Sequence, residues 1–373
     1  MSTHTPSTER PTTACSPSLI EFAAQQTIDP RIPAAVPGFD APFFQAGLAG
    51  YSDAAMRLIA RRHGSPYCVT EALLDRTLLC NGKGRTRENP DILKEACALG
   101  DPKNNRLADL EDHPVAGQIM GTGPEEMARA AILLVDLGHD VIDVNFACPV
   151  KKVRRRKRGG HFLTAPDEAI EILRAVRDAV PQSVPCTVKL RRAWDDSPEM
   201  ALKFERIFEA SYDTGYAWAT VHGRTVEQRY NGPSNWNFLA GLVRRYPDRI
   251  IFGSGDIFEV ADIFRMLRQT GVHAVSVARG CIGNPWIFQQ ARQLLRGEDP
   301  RPPTSTEQRN TLIDHFRLCM AQHGEEAASR MMRKFGIQFS VHHDQAKSVR
   351  QAFVAVQSAD QWQDVLDHMY PTD

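Results

Sequence analysis

The stretch Val141-Ile-Asp-Val-Asn-Phe-Ala-Cys-Pro-Val150, with Lys151-Lys-Val-Arg-Arg-Arg-Lys-Arg-Gly-Gly160 behind it, decides how the rest of the chain is read. A short apolar run bounded by turn-forming residues is the pattern of a buried strand. A single cysteine stands just past its end, and seven of the eight residues 151–158 are basic. A thiol held at a strand end beside that charge density points to chemistry on an anionic partner.

Outward from this strand, seven more apolar runs of the same kind fall at residues 42–46, 67–71, 115–119, 186–190, 217–222, 250–253 and 274–278. Helical patterns separate them, at 53–63, 124–138, 166–180, 198–214, 234–246, 258–270 and 285–295. Pro124-Glu-Glu puts proline and acids in a first turn, and Gly271 follows a last one. Eight strands alternating with helices over roughly 250 residues favour an α/β fold, a (β/α)8 TIM barrel, over an open dinucleotide-binding sheet. Neither a G-x-G-x-x-G after a strand nor a phosphate-loop signature is present. Residues 78–114 interrupt the alternation and read as one helix and an extended loop.

The flanks differ from this body. Residues 1–38 are rich in Ser, Thr and Pro without a basic start or an apolar core, and are expected to form a flexible tail. The barrel then spans 39–296, and a Pro-rich linker covers 297–304. Ser305-Thr-Glu-Gln308 resembles a capping box that opens a helical domain over 305–373. Its apolar set, Leu312, Phe316, Cys319, Met331, Phe335, Phe339, Phe353, Val356, Trp362, Val365 and Leu366, suits a small bundle. Arg330, Arg333, Lys334, Lys347, Arg350, His342 and His343 are candidates to line one basic face.

Composition bounds the function. The 373 residues are 42% hydrophobic and 24% charged with zero net charge, so affinity for a polyanion must come from local clustering such as 151–158. Eight cysteines without C-x-x-C pairs or zinc-like histidine spacing read as reduced thiols of a cytoplasmic protein, with no metal centre. No apolar run is long enough for a membrane span.

In a barrel of this type the site forms where the strands end. The ends carry Gly47, Glu71, Gln118, Asn145 with Cys148, Lys189, His222 with Arg224, Gly255 with Asp256, and Arg279 with Gly280. A lysine at a barrel mouth is costly to bury unless it faces an anion or a polarised carbonyl. The last two loops, Gly253-Ser-Gly-Asp256 and Ala278-Arg-Gly280, occupy the usual phosphate position of such barrels.

Taken in order, Ala46-Gly-Leu-Ala-Gly-Tyr-Ser-Asp53, Asp143-Val-Asn-Phe-Ala-Cys-Pro-Val-Lys-Lys152, Thr187-Val-Lys-Leu-Arg191, Thr220-Val-His-Gly-Arg-Thr225, Gly253-Ser-Gly-Asp-Ile257 and Arg279-Gly-Cys-Ile-Gly-Asn-Pro-Trp286 resemble the tRNA-dihydrouridine synthase family. The resemblance runs from about residue 41 to the end and implies an FMN-dependent reductase that converts uridines of tRNA to 5,6-dihydrouridine with NADPH. By motif, Cys148 is implied as the acid that protonates C5 of uracil while reduced flavin delivers hydride to C6. Ala46, Gly47, Gln118, Lys189, His222, Ser254, Gly255, Asp256, Ala278, Arg279 and Gly280 are implied around FMN. Asn145 and Arg224, with Lys151, Lys152, Arg154, Arg155 and Arg156 of the basic run, are implied on the substrate side, and the helical domain as the grip on tRNA. No protein partner is required.

Ala147 and Ala278 stand where glycine is usual, and Ser254 where asparagine is, which implies altered FMN contact. His161-Phe-Leu163 replaces a small-residue run and is expected to reshape the mouth. Two other readings compete: an FMN barrel acting on a free pyrimidine or dihydroorotate-like substrate, and a tRNA-binding barrel without catalysis. The basic loop and helical domain weigh against the first, and Cys148, Lys189 and His222 against the second.

Overall fold

The protein is described by a computed structural model over residues 13–79 and 112–371. Most of the 78–114 insertion, with Cys80 and Cys97, lies outside the described residues. The strands are β1 Phe43–Gln45, β2 Cys68–Val69, β3 Leu73–Leu74, β4 Val115–Met120, β5 Val141–Asn145, β6 Cys186–Arg191, β7 Trp218–His222, β8 Ile251–Ser254 and β9 Ala274–Val277. Every pairing is parallel. β2 and β3 are two halves of one stave, since both pair with β4, at Val115–Ala116 and at Ile119–Met120. β1 pairs with β2 on one side and β9 on the other, which closes eight staves into a barrel.

The return helices are Ala54–Arg62, Pro124–Asp136, Pro166–Ala179, Pro198–Asp213, Trp236–Arg245, Val260–Thr270 and Trp286–Leu295. Asp53, expected as a first residue, is instead a cap, while the helix expected from Pro198 begins there. Asp53 accepts from the Met56 N–H and Ser197 from that of Met200, and Glu259 forms a capping box with Asp262.

Side chains alternate across the barrel wall. Ile142, Val144, Val188, Leu190, Ala219 and Val221 face outward into the helix layer. Phe44, Tyr67, Val69, Ala116, Val141, Trp218, Phe252 and Ala274 form a separate inner cluster. Phe39, ahead of β1, completes that cluster. Its ring stacks on Tyr67 at 4.6 Å and meets Phe44, Trp218 and Phe252 edge-on at 5.7 to 6.3 Å.

The flexible tail expected over 1–38 is therefore corrected from residue 13 on. Helix Pro17–Ala24 buries Leu19 and Ala23 against the helices 260–270 and 286–295, and Arg31–Ala35 buries Ile32 beside Val36 and Phe39. A polar composition hid apolar residues at helical spacing. Residues 1–12 lie outside the described residues.

The C-terminal part has four α-helices, Ser305–His323, Glu325–Phe339, Ala346–Ala355 and Ala359–Met369. Phe316 stacks on Trp362 at 4.9 Å in their core. Three expectations need correction. The capping residue is Thr304, whose hydroxyl accepts from the Glu307 N–H at 3.2 Å while Glu307 accepts from Thr304 N–H at 2.8 Å. Met332, not Met331, is fully buried. His342 is buried, and His343 binds the Met369 carbonyl at 2.7 Å, so neither joins a basic surface.

Candidate active site

One buried acid organises the middle of the barrel. Register sets Gln118 beside Asp143 and Asp143 beside Thr187. Asp143 accepts from Thr187 Oγ1 and from Gln118 Nε2, both at 2.7 Å. A carboxylate can only accept, so the Gln118 amide must turn its nitrogen inward. Its Oε1 then accepts from Asn145 Nδ2 at 2.7 Å, and Asn145 Oδ1 takes the N–H groups of Ala147 and Cys148 at 3.0 and 3.1 Å. One acid thereby orients two amides and the backbone that carries Cys148. Burial raises the Asp143 pKa, opposed by Thr187, Gln118 and Lys189.

Cys148 lies in an open cleft together with Gln118, Asn145, Lys189, His222 and Arg279. Burial raises its pKa, against the Val150 N–H and the charges of Arg191 and Arg154. The thiol is therefore protonated at neutral pH. Gly159 packs on it so closely that a Cβ there would stand 2.8 Å from the Cys148 Cβ. Arg191 holds the same turn, with Nε to Ala147 O at 3.0 Å and Nη1 to the carbonyls of Thr225 and Arg229.

Lys189 pairs in register with Asn145 and Thr220, and burial lowers its pKa while Asp143 opposes that. His222 is held well below its ordinary pKa by burial and by Arg191, Lys189, Arg224 and Arg279, so it is neutral. Its Nδ1 accepts from the Arg224 N–H at 3.1 Å, which leaves the proton on Nε2.

The loops after β8 and β9 interlock. A Cβ on Gly280 would fall 2.3 Å from the Ile257 carbonyl, so only glycine permits this approach. Asp256, at φ +59°, receives Arg224 at 2.7 Å and the Ser234 N–H at 2.7 Å, and lies 3.7 Å from Arg279. The Arg279 guanidinium sits between the rings of Tyr230 and Phe258, at 4.8 and 4.9 Å from their centroids.

Most of the implied residues thus meet at one cleft, including Gly47, Ser254, Gly255 and Ala278. Ala46 lies in the barrel just beneath, with Asp143 and Thr187. Arg224 does not reach the cleft: it is buried and committed to Asp256 and the Gly232 carbonyl. The basic run divides. Lys151–Arg154 is a short helix, with Lys151, Lys152, Arg155, Arg156 and Lys157 exposed. Arg154 lies 4.8 Å over the Trp194 ring, and buried Arg158 faces Asp75 at 3.7 Å. Ala147 needs no left-handed backbone, so its departure from glycine is tolerated. Phe162 and Leu163 are buried, Phe162 against Phe146, and do not shape the mouth.

Arg191, Tyr230 and Ser276 line the cleft and had been assigned no role. Arg191 stood in a quoted motif two residues past Lys189, the inward spacing of a strand. Tyr230 lies in a loop, where no periodicity marks it.

The model of the family described as dihydrouridine synthase (Dus) matches residues 44–371. The chain belongs to the dihydrouridine synthase family. It is 33% identical over 298 residues to a probable tRNA-dihydrouridine synthase of Treponema pallidum, covering 78% of this chain and 82% of that one. It is 30% identical to tRNA-dihydrouridine synthase B of Vibrio cholerae over 86% of this chain and 93% of that one. Among solved structures, histamine dehydrogenase from Rhizobium sp. 4-9 superposes with a TM-score of 0.54 at 13% identity. That match covers 80% of this chain and 51% of the dehydrogenase, about half its length. A 2-naphthoyl-CoA reductase matches with a TM-score of 0.53 at 12% identity, over 75% of this chain and 53% of that one. At such identities the likeness shows the fold alone.

Proposed function

We propose that this member of the family reduces uridines of tRNA to 5,6-dihydrouridine, with FMN in the cleft and NADPH as reductant. The observation that carries the reading is a protonated thiol, Cys148, in the same cleft as Lys189, His222 and Arg279. The residues fit FMN. Ser276 Oγ is buried at the cleft with no hydrogen-bond partner among the described residues.

Lys189 and the Nε2–H of His222 would hold the ring edge, with Gln118 beside them. The loops at Gly255–Asp256 and Arg279–Gly280 would take the phosphate through N–H groups and the Arg279 charge. Bound FMN supplies hydride chemistry at C6 of uracil. Cys148 would give its proton to C5, so that one hydride and one proton add across the C5–C6 double bond as NADPH becomes NADP⁺, and the thiolate would regain a proton from water. Asn145 keeps one amide hydrogen for the base. The uridine must leave its stack to reach this depth.

The test is direct. The purified protein should carry a flavin spectrum and consume NADPH as uridine is lost from unmodified tRNA. A colourless protein that does not take up FMN would overturn the reading, and turnover of free uracil but not tRNA would move it to a small-molecule reductase.

The exposed cations Lys151, Lys152, Arg155, Arg156 and Lys157 are proposed to guide tRNA phosphates. Neutralising all five should weaken tRNA binding and flatten the plot of log affinity against log salt by about 0.7 to 0.9 per lost phosphate contact. Affinity unchanged across a salt series would make the run an ordinary solvated surface.

A further inference from the structure

We infer that the helical domain holds one wall of the cleft in place from behind: Lys334 is a positioning residue that pins the loop between β1 and the 54–62 helix. This inference rests on the function proposed above only for its kinetic readout. Gly47, Leu48 and Ala49 wall the cleft on the β1 side. The residues directly after them are gripped from the other domain. Lys334 Nζ donates to the Gly50 carbonyl and lies 4.6 Å over the Tyr51 ring. Tyr51 also meets Phe335 edge-on at 5.7 Å. One helix earlier, His323 Nε2 stands 3.2 Å from Asp53 Oδ2, and Gln322 Oε1 accepts from the Ala55 N–H at 3.3 Å.

The barrel holds the same loop from below. Glu71 Oε2 accepts from the Gly50 N–H at 2.6 Å, and the Leu48 N–H donates to Ser52 Oγ at 2.8 Å. Gly50 is thus fastened at both ends of its peptide geometry, its N–H to the barrel and its carbonyl to the second domain. Burial, and after it the Asp53 carboxylate, raise the Glu71 pKa in this joint, against the Gly50 N–H. Lys334 of the helical domain and Arg57 of the barrel offset the Glu71 charge, and His323 hydrogen-bonds Asp53. Without Lys334 the Gly50 carbonyl loses its donor and Glu71 loses a neighbouring cation. Leu48, whose carbonyl accepts from the Tyr51 and Ser52 N–H groups and whose N–H reaches Ser52 Oγ, carries that loss to residues 47–49, and the cleft wall would loosen.

The experiment uses the full chain with Lys334→Met, which keeps the aliphatic stem over Tyr51, alongside Lys334→Arg and Glu71→Gln. Amide exchange of the peptide covering 47–55 should quicken about ten-fold in Lys334→Met, the scale of one charge-assisted hydrogen bond. It should quicken in Glu71→Gln as well, and return toward wild type in Lys334→Arg. At saturating tRNA the turnover rate should fall several-fold in Lys334→Met while tRNA affinity in a filter-binding assay stays within about two-fold. Weakened affinity with unchanged turnover would make Lys334 an RNA contact and overturn the inference. Exchange of 47–55 unchanged in all variants would overturn it too. The exchange measurement needs no substrate, so a wild-type protein inactive on tRNA would sink the proposed function and leave the latch to be judged by exchange alone. If Lys334→Met fails to fold, Glu71→Gln and Lys334→Arg carry the same comparison.

Discussion

Replacing Cys148 with alanine is expected to lower product formation by about 10²- to 10⁴-fold, the range for loss of a positioned general acid. Flavin binding and NADPH oxidation should survive, because in the proposed reaction the thiol serves only the proton transfer. Its turn is fixed by Asn145 and Arg191 through backbone atoms, so the alanine should sit in the same place. Product formed at the wild-type rate would assign the acid elsewhere. The pH profile offers a second check. The reactive form is the protonated thiol, and burial raises its pKa, so activity should be lost only as pH rises through a value above that of an ordinary thiol. His222 is held well below its usual value, so it stays neutral and adds no acid limb in its ordinary range. The turnover rate should therefore be flat between about pH 6 and 8.

Arg57→Met should destabilise the fold by about 3 to 5 kcal/mol, the usual result of breaking a buried ion pair from one side. The Arg57 and Asp112 side chains are 0% and 4% exposed, and both Nε and Nη2 of Arg57 reach Asp112 Oδ2, at 3.0 and 2.8 Å. Nη1 reaches the Ser52 carbonyl at 2.9 Å, so the same guanidinium supports the cleft-wall loop from beneath. Among the described residues, the variant leaves Asp112 with Arg61, 3.6 Å away. Urea unfolding measures the loss as a lower midpoint. Adding Asp112→Leu should recover much of it, because the uncompensated charge is then gone. A double variant no more stable than the single one would place the cost in packing instead.

How much of this was legible depends on the range over which each feature is encoded. The eight staves could be read because each is a local run of apolar residues, and the ends of those runs delivered Gln118, Asn145, Cys148, Lys189 and His222 to one cleft. Family resemblance then supplied roles that spacing cannot. What escaped depends on contacts between distant segments. Nothing local announces that Arg224 is spent on Asp256 or Arg158 on Asp75, while neighbouring cations of the same type stay exposed. Asp143 was visible as an acid inside a buried strand, yet its control over two amide orientations needs Gln118 and Thr187 from adjacent strands. The amino-terminal helices were missed because Ser, Thr and Pro mask the few apolar residues that bury.

The Phe39 ring has a practical consequence for anyone who wishes to transplant this barrel. The family match begins at residue 44, five residues after the ring that seals the base. A chimera or shortened gene cut at the homology boundary would carry every catalytic motif and leave Tyr67, Trp218 and Phe252 facing an open floor. The transferable module begins upstream of the segment that alignment recognises, near Arg31, where the chain first turns into the barrel's underside.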